Sequence, residues 1–256
     1  MVASRQTALA GADFDTWLNT LRVQWSPAQI EIVRRAYALS GEPELAVADL
    51  LADLGMDHET AAAALLHETT ASGQWALSRL RDEFGPAVAQ MVDGLIKLDA
   101  IGELHQSSQH VGRQLESLRK MLLAMAQDLR VVLIRLAMQL HTLRQLGQRP
   151  VEEQQRIARE TLDVFSPLAN RLGIGRIKWE MEDLALRYLD PLAYKQIAAA
   201  LEQRRADREH YIARAIEELR DHLREAQIDA EVSGRVKHIY SIWRKMQRKK
   251  LSFGQI

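Results

Sequence analysis

The sequence predicts an all-α protein that opens into a sheet-containing segment only near its end. Three observations predict it. Apolar residues recur at the helical period through most of the 256 residues. Capping residues, glycines and prolines break that periodicity into successive segments. Alternation of period two appears in one place, Ile228 to Val232 ("IDAEV"), the first credible strand.

Ser26-Pro27 opens a helix, with serine as N-cap and proline at the first helical position, and Ile30, Val33 and Tyr37 form its stripe. Glu42-Pro43 starts the next, which carries Leu45, Leu50, Leu51 and Leu54 and stops at Gly55. Asp57 caps a third, which ends in "AAALLHETTASG", Ala62 to Gly73. Phe84-Gly85-Pro86 separates two further amphipathic helices. Val111 to Leu146 reads as one long helix, apolar on most sides near its middle, and therefore as the central core helix; Gly147 and Pro150 end it. Val151 to Leu172 forms a helix interrupted around Ser166-Pro167, and Gly173 to Asp190 another. From Pro191 to Ala226 the chain is charged, with a stripe through Tyr211, Ile212, Ala215, Ile216, Leu219 and Leu223, as a connecting or docking helix requires. The expected organisation is a helical domain over 1–190, a linker helix over 191–226 and the beginning of a sheet-containing domain over 227–256.

Composition narrows the function classes. Lysine plus arginine and aspartate plus glutamate both number 34, so no net field draws the molecule to nucleic acid. The absence of cysteine excludes disulfides, thiolate metal sites and cysteine nucleophiles. The N-terminus lacks the apolar run of a signal peptide, and the longest apolar runs, Ala61 to Leu66 and Met121 to Ala126, are too short to span a bilayer. A soluble, cytoplasmic chain with no membrane partner is expected.

Two places carry candidate chemistry. His67-Glu68 stands at a helix end as half of a hydrolytic metal site would. The residue four after His67 is Ala71, which excludes HExxH, and no histidine precedes His58. The other histidine on a core helix, His141, has Met138 one turn before it, a poor ligand for the metals of phosphate hydrolysis. These residues favour a partly buried histidine beside a surface acid. The second place is "EVSGRVKHIYSIWRKMQRKK", Glu231 to Lys250. No acid occurs from Ser233 onward, while Arg235, Lys237, Arg244, Lys245, Arg248, Lys249 and Lys250 are basic. Lys237, Ser241 and Lys245 share one helical face; Ile239, Ile242 and Met246 form an apolar face suited to a sheet. A glycine turn followed by a cationic helix start suits polyphosphate, through backbone N–H groups and lysines. A solvated basic helix or a nucleic-acid patch fits the same residues, and no Walker P-loop motif is present.

Taken together, these stretches resemble the long RelA/SpoT homologues, bacterial stringent-response enzymes that make and degrade (p)ppGpp. "SGRVKHIYSIWRKM" (Ser233–Met246) resembles the start of their synthetase domain. "RDEFGPAVAQMVDGLIKL" (Arg81–Leu98), "MAQDLRVVLIRLA" (Met125–Ala137), "RIARETL" (Arg156–Leu162) and "FSPLANRLGIGRIKWEMEDLAL" (Phe165–Leu186) resemble the helical region before it. The resemblance implies an HD-type helical bundle, in the family a manganese-dependent hydrolase. Here the family's early histidine is absent and its His-Asp pair is His67-Glu68. Its Glu-Asp pair falls on Ala71 and Ser72, and its motif aspartate on Met138, ahead of His141. A degenerate hydrolase domain that binds no Mn²⁺ or Zn²⁺ is therefore expected, as in synthetase-only RelA-type members.

For the synthetase the resemblance implies pyrophosphate transfer from ATP to the 3′-hydroxyl of GTP or GDP. Arg235 would contact the ATP base and phosphates, and Lys237, Ser241 and Lys245 the polyphosphate, with His238 nearby. The Mg²⁺ ligand and general base would lie beyond Ile256, so the chain is expected to be an N-terminal piece without synthetase activity. Ribosome and tRNA contacts would belong to C-terminal domains. Two rival readings are an active metal-dependent hydrolase with altered ligands and a non-catalytic helical module that contacts RNA or the ribosome.

Overall fold

A computed structural model of the chain describes residues 14–40, 45–106, 128–203, 205–234 and 237–255. Among these residues the regular structure is helical and no strand forms. The chain divides into two compact units, the first ending at Gln145 and the second beginning at Leu146. No described helix is long and apolar enough to cross a membrane.

The first unit contains α1 (Phe14–Leu21), α2 (Pro27–Ser40), α3 (Leu45–Asp53), α4 (His58–Ala71), α5 (Leu77–Phe84), α6 (Pro86–Gln106) and α7 (Leu129–Gln145). Pro27 begins α2, and the Ser26 amide donates to Gln29 Oε1 at 2.8 Å, half of a capping box. Helix α3 ends where Gly55 adopts φ 74°, and the Met56 amide reaches back to the Leu51 carbonyl. That 6→1 bond closes a Schellman turn, for which a residue with a Cβ is poorly suited. Asp57 caps α4 by accepting the Thr60 amide at 2.8 Å and the Thr60 hydroxyl at 2.6 Å.

The enclosed centre of this unit is α4, which packs against α2, α3, α6 and α7. The sequence reading assigned that place to Val111–Leu146. Its described part, α7, is well buried along one side, while residues 107–127 lie outside the described residues. The reason α4 is central is composition. Every residue from Ala61 to Leu66 is almost fully buried, and four consecutive alanines let neighbouring helices close in on every side. The start expected at Glu42-Pro43 also lies outside the described residues.

In the second unit, a 3₁₀ turn (Leu146–Gln148) leads into α8 (Val151–Glu160), a π turn (Thr161–Phe165), α9 (Ser166–Arg171) and α10 (Gly175–Leu189). Helices α11 (Pro191–Gln203), α12 (Arg205–Glu225) and α13 (Ile239–Lys249) follow. The interruption expected near Ser166-Pro167 is the π turn. Pro167 has no N–H to give its fourth preceding carbonyl, and the Ser166 amide instead bonds the Thr161 carbonyl five residues back. Helices α8 and α9 pack on α10 around Ile157, Leu168, Ile177, Met181 and Ala185.

Three expectations need correction here. Ile228 to Val232 forms no strand but runs as extended chain, because alternation cannot make a strand without a neighbour to receive its backbone groups, and none is present among the described residues. The stretch from Pro191 to Ala226 forms two helices rather than one connector; α11 buries Ile197 and packs against both α10 and α13. The last helix begins at Ile239 rather than near Arg235, with the His238 backbone extended. Its apolar face meets helices, not a sheet.

Candidate functional site

Helix α13 is amphipathic: Ile242 is 7% exposed and faces the unit's interior. The opposite face contributes Ser241, Arg244, Lys245 and Arg248 to an open cavity of about 420 Å³, completed by Lys237, His238 and Trp179 of α10. Lys237, Ser241 and Lys245 thus line one space together with His238. Arg235 lies outside the described residues. Every charged lining residue is basic, and no carboxylate is among them. The lining therefore neutralises a polyanion but offers no oxygen ligand set for Mg²⁺.

Helix α10 shapes this cavity from behind. Asp183 Oδ1 accepts the Tyr240 amide at 2.8 Å, and Oδ2 stands 3.5 Å from His238 Nδ1. Burial pushes the Asp183 carboxyl above its ordinary range, against the opposing pull of the Tyr240 amide and His238. The His238 ring stacks on Trp179 with centroids 4.8 Å apart. Behind Asp183, Glu182 is buried and accepts the Ser166 hydroxyl at 2.7 Å. Its carboxyl is also raised, by burial, with Ser166, Lys178 and Arg244 pulling the other way.

One expected feature changes. Backbone N–H groups at the helix start were to cradle phosphate, but the Tyr240 amide is already taken by Asp183. The side chains, not the helix terminus, form the cationic surface. Sequence reasoning missed Trp179 and Asp183. Both fall inside a stretch that resembled the family, yet nothing in their local spacing points to a helix more than fifty residues later.

In the first unit, His67 is 3% exposed, with Nε2 only 2.9 Å from Asp99 Oδ2. The contact lacks hydrogen-bond alignment, and Nδ1 has no partner. Arg135 Nε lies 3.0 Å from the other Asp99 oxygen. Burial acts to raise the Asp99 carboxyl, but His67 and Arg135 outweigh it and hold the group below its ordinary value. Glu68, Ala71 and Ser72 are exposed, and Met138 and His141 are half-buried on α7. Burial, helped by Arg144, lowers the His141 imidazole. Among the described residues no three histidines, aspartates or glutamates converge to hold a metal ion, so this donor set does not fit the hydrolytic metal. His67 instead joins α6 and α7 through Asp99 and Arg135, neither of which its sequence neighbourhood reveals.

Comparison with known proteins gives the lineage. The family model described as HD domain matches residues 40–175. The chain is 42% identical over 210 residues to a GTP pyrophosphokinase of Photobacterium angustum, covering 81% of this chain and 28% of the relative. A GTP pyrophosphokinase of Haemophilus influenzae is 44% identical over 206 residues, 80% of this chain and 28% of the relative. One from Myxococcus xanthus is 40% identical over 242 residues, 89% of this chain and 32% of the relative. The chain thus spans about three-tenths of the length of these relatives.

Proposed function

The chain belongs to the HD-domain family and is a homologue of the RelA/SpoT-type GTP pyrophosphokinases, and from that premise we propose that its second unit supplies part of an ATP-binding synthetase site. The observation that carries this reading is the acid-free cavity lined by Lys237, Ser241, Arg244, Lys245 and Arg248. Pyrophosphate transfer develops charge on the moving group and the departing nucleotide. Lysine and arginine side chains fixed around that charge lower the barrier by electrostatics and positioning. Lys237 and Lys245 act as point charges on the polyphosphate, and the Ser241 hydroxyl donates a hydrogen bond to it. Arg235 contacts the ATP base and phosphates. Mg²⁺ supplies further charge neutralisation when bound, through ligands other than this lining. GTP or GDP accepts the group at its 3′-hydroxyl, and the residues of this chain alone do not complete the transfer.

The first unit acts in this reading as a scaffold and regulator without hydrolase activity. The His67–Asp99–Arg135 cluster supports it, because a guanidinium neutralises the carboxylate nearest the histidine.

Calorimetric titration with ATP tests the synthetase part. The chain is expected to bind ATP, and Lys245→Ala to weaken binding about tenfold, the loss typical of a charge-assisted contact. Tight, salt-dependent binding of RNA with no binding of ATP would overturn the reading in favour of a nucleic-acid surface. Release of pyrophosphate from (p)ppGpp in the presence of Mn²⁺ would refute the inactive-hydrolase part.

A further inference from the structure

Helix α13 carries the cationic side chains but has little of its own to hold it in place. His238 occupies the N-cap position without a side-chain cap bond, and Ile242 is the helix's single fully buried residue. The missing cap comes from α10. The Tyr240 amide donates to Asp183, and the Ile239 amide also bonds this carboxylate. The second Asp183 oxygen faces the His238 ring, which lies against Trp179. Trp179 is seated closely in turn: a Cβ at Gly175 would stand 2.9 Å from its indole.

We propose that Asp183 and Trp179 are positioning residues of the cationic site, which from α10 fix His238 and the first turn of α13 so that the donors of α13 face one cavity. The proposal rests on the polyphosphate reading above. Its force comes from an electrostatic conflict. A carboxylate beside an anion site weakens anion binding if charge is its only effect. Asp183 stands within reach of His238, a lining residue, yet is itself absent from the lining. The groups around it are the His238 ring and Tyr240 from α13, Tyr194 from α11, and Glu182 and Arg187 on its own helix. The backbone bonds give this carboxylate a task that its charge alone would oppose. A cap donated across helices also fixes the rotation of α13 about its axis, which sets where Ser241 and Lys245 point.

The two roles separate by the sign of one measurement. As positioning residues, Asp183→Ala lowers the affinity of the whole chain for ATP and for inorganic tripolyphosphate by about fivefold, in line with the loss of a helix cap. Asp183→Asn, which still accepts an amide hydrogen, stays within about twofold of the unaltered chain. Trp179→Leu weakens both ligands, and Trp179→Phe recovers most of the loss because it restores an aromatic platform for His238. Amide exchange without ligand gives a second readout: the Tyr240 N–H exchanges faster in Asp183→Ala and keeps its protection in Asp183→Asn. Tighter binding in both Asp183 variants would overturn the proposal, as would unchanged Tyr240 exchange in Asp183→Ala. If the unaltered chain binds neither polyanion, the polyphosphate reading fails by itself, while Tyr240 exchange still decides whether Asp183 holds α13.

Discussion

Glu182 shows what a buried carboxylate costs when its partners are few. Its ordinary value of 4.5 is raised by burial in spite of Ser166 and Lys178. The fold therefore prefers the protonated form. The contribution of this group to stability is complete below pH 4.5 and is lost as pH rises through the higher folded value. Glu182→Gln keeps an acceptor for the Ser166 hydroxyl and removes the buried charge. We predict a gain of about 1 kcal/mol at pH 7, with little change near pH 4, in urea denaturation. Asp99 has the opposite sign: its folded value lies below 3.8, so its stabilisation is present above that pH and disappears as pH falls through the folded value. Asp99→Asn should accordingly destabilise the first unit at pH 7 and converge with the unaltered chain in acid. Such residues are the least legible part of the sequence. The cations of 235–250 are visible because no acid interrupts them. Asp99 and Asp183 look like ordinary surface acids until the chain folds, because their partners come from distant helices.

Helix boundaries were legible where a side chain or a glycine ends the hydrogen-bond ladder locally. Asp57 and Gly55 did so, and the structure places the caps there. The strand at Ile228–Val232 could not be read in the same way, since alternation describes only one half of a pairing. Centrality within a bundle was also hidden: a long apolar run suggests the core, but small residues decide which helix neighbours can surround. Helix α4 makes this testable. Leu65 is fully buried within it, and Leu65→Ala should cost roughly 3 kcal/mol in denaturant unfolding. A similar argument applies where extended chain crosses α12. A Cβ at Gly234 would stand 2.6 Å from Ile212 Cγ2, so Gly234→Val must push the segment before α13 off α12. Weaker ATP binding with a nearly unchanged melting temperature is the expected result.

At the scale of the whole molecule, zero formal net charge conceals a strongly uneven distribution. The cavity lining lies entirely within the second unit. Residues 146–256 alone should therefore bind tripolyphosphate with an affinity within about threefold of the whole chain, and the same salt dependence. A much larger loss would mean that the first unit supports the site directly. The π turn at Thr161–Phe165 has a consequence of a different kind. It holds one residue more per turn than the helices on either side, so it offsets the angular phase of all that follows. Deleting a single residue there, such as Leu162, would let α8 and α9 merge, but would swing α9 by about 100° about its axis. Ser166 would leave Glu182, and the leucine and alanine that α9 now buries would turn outward. The tolerance of this unit to length change is thus asymmetric: exposed loops can absorb an insertion, whereas this turn counts residues.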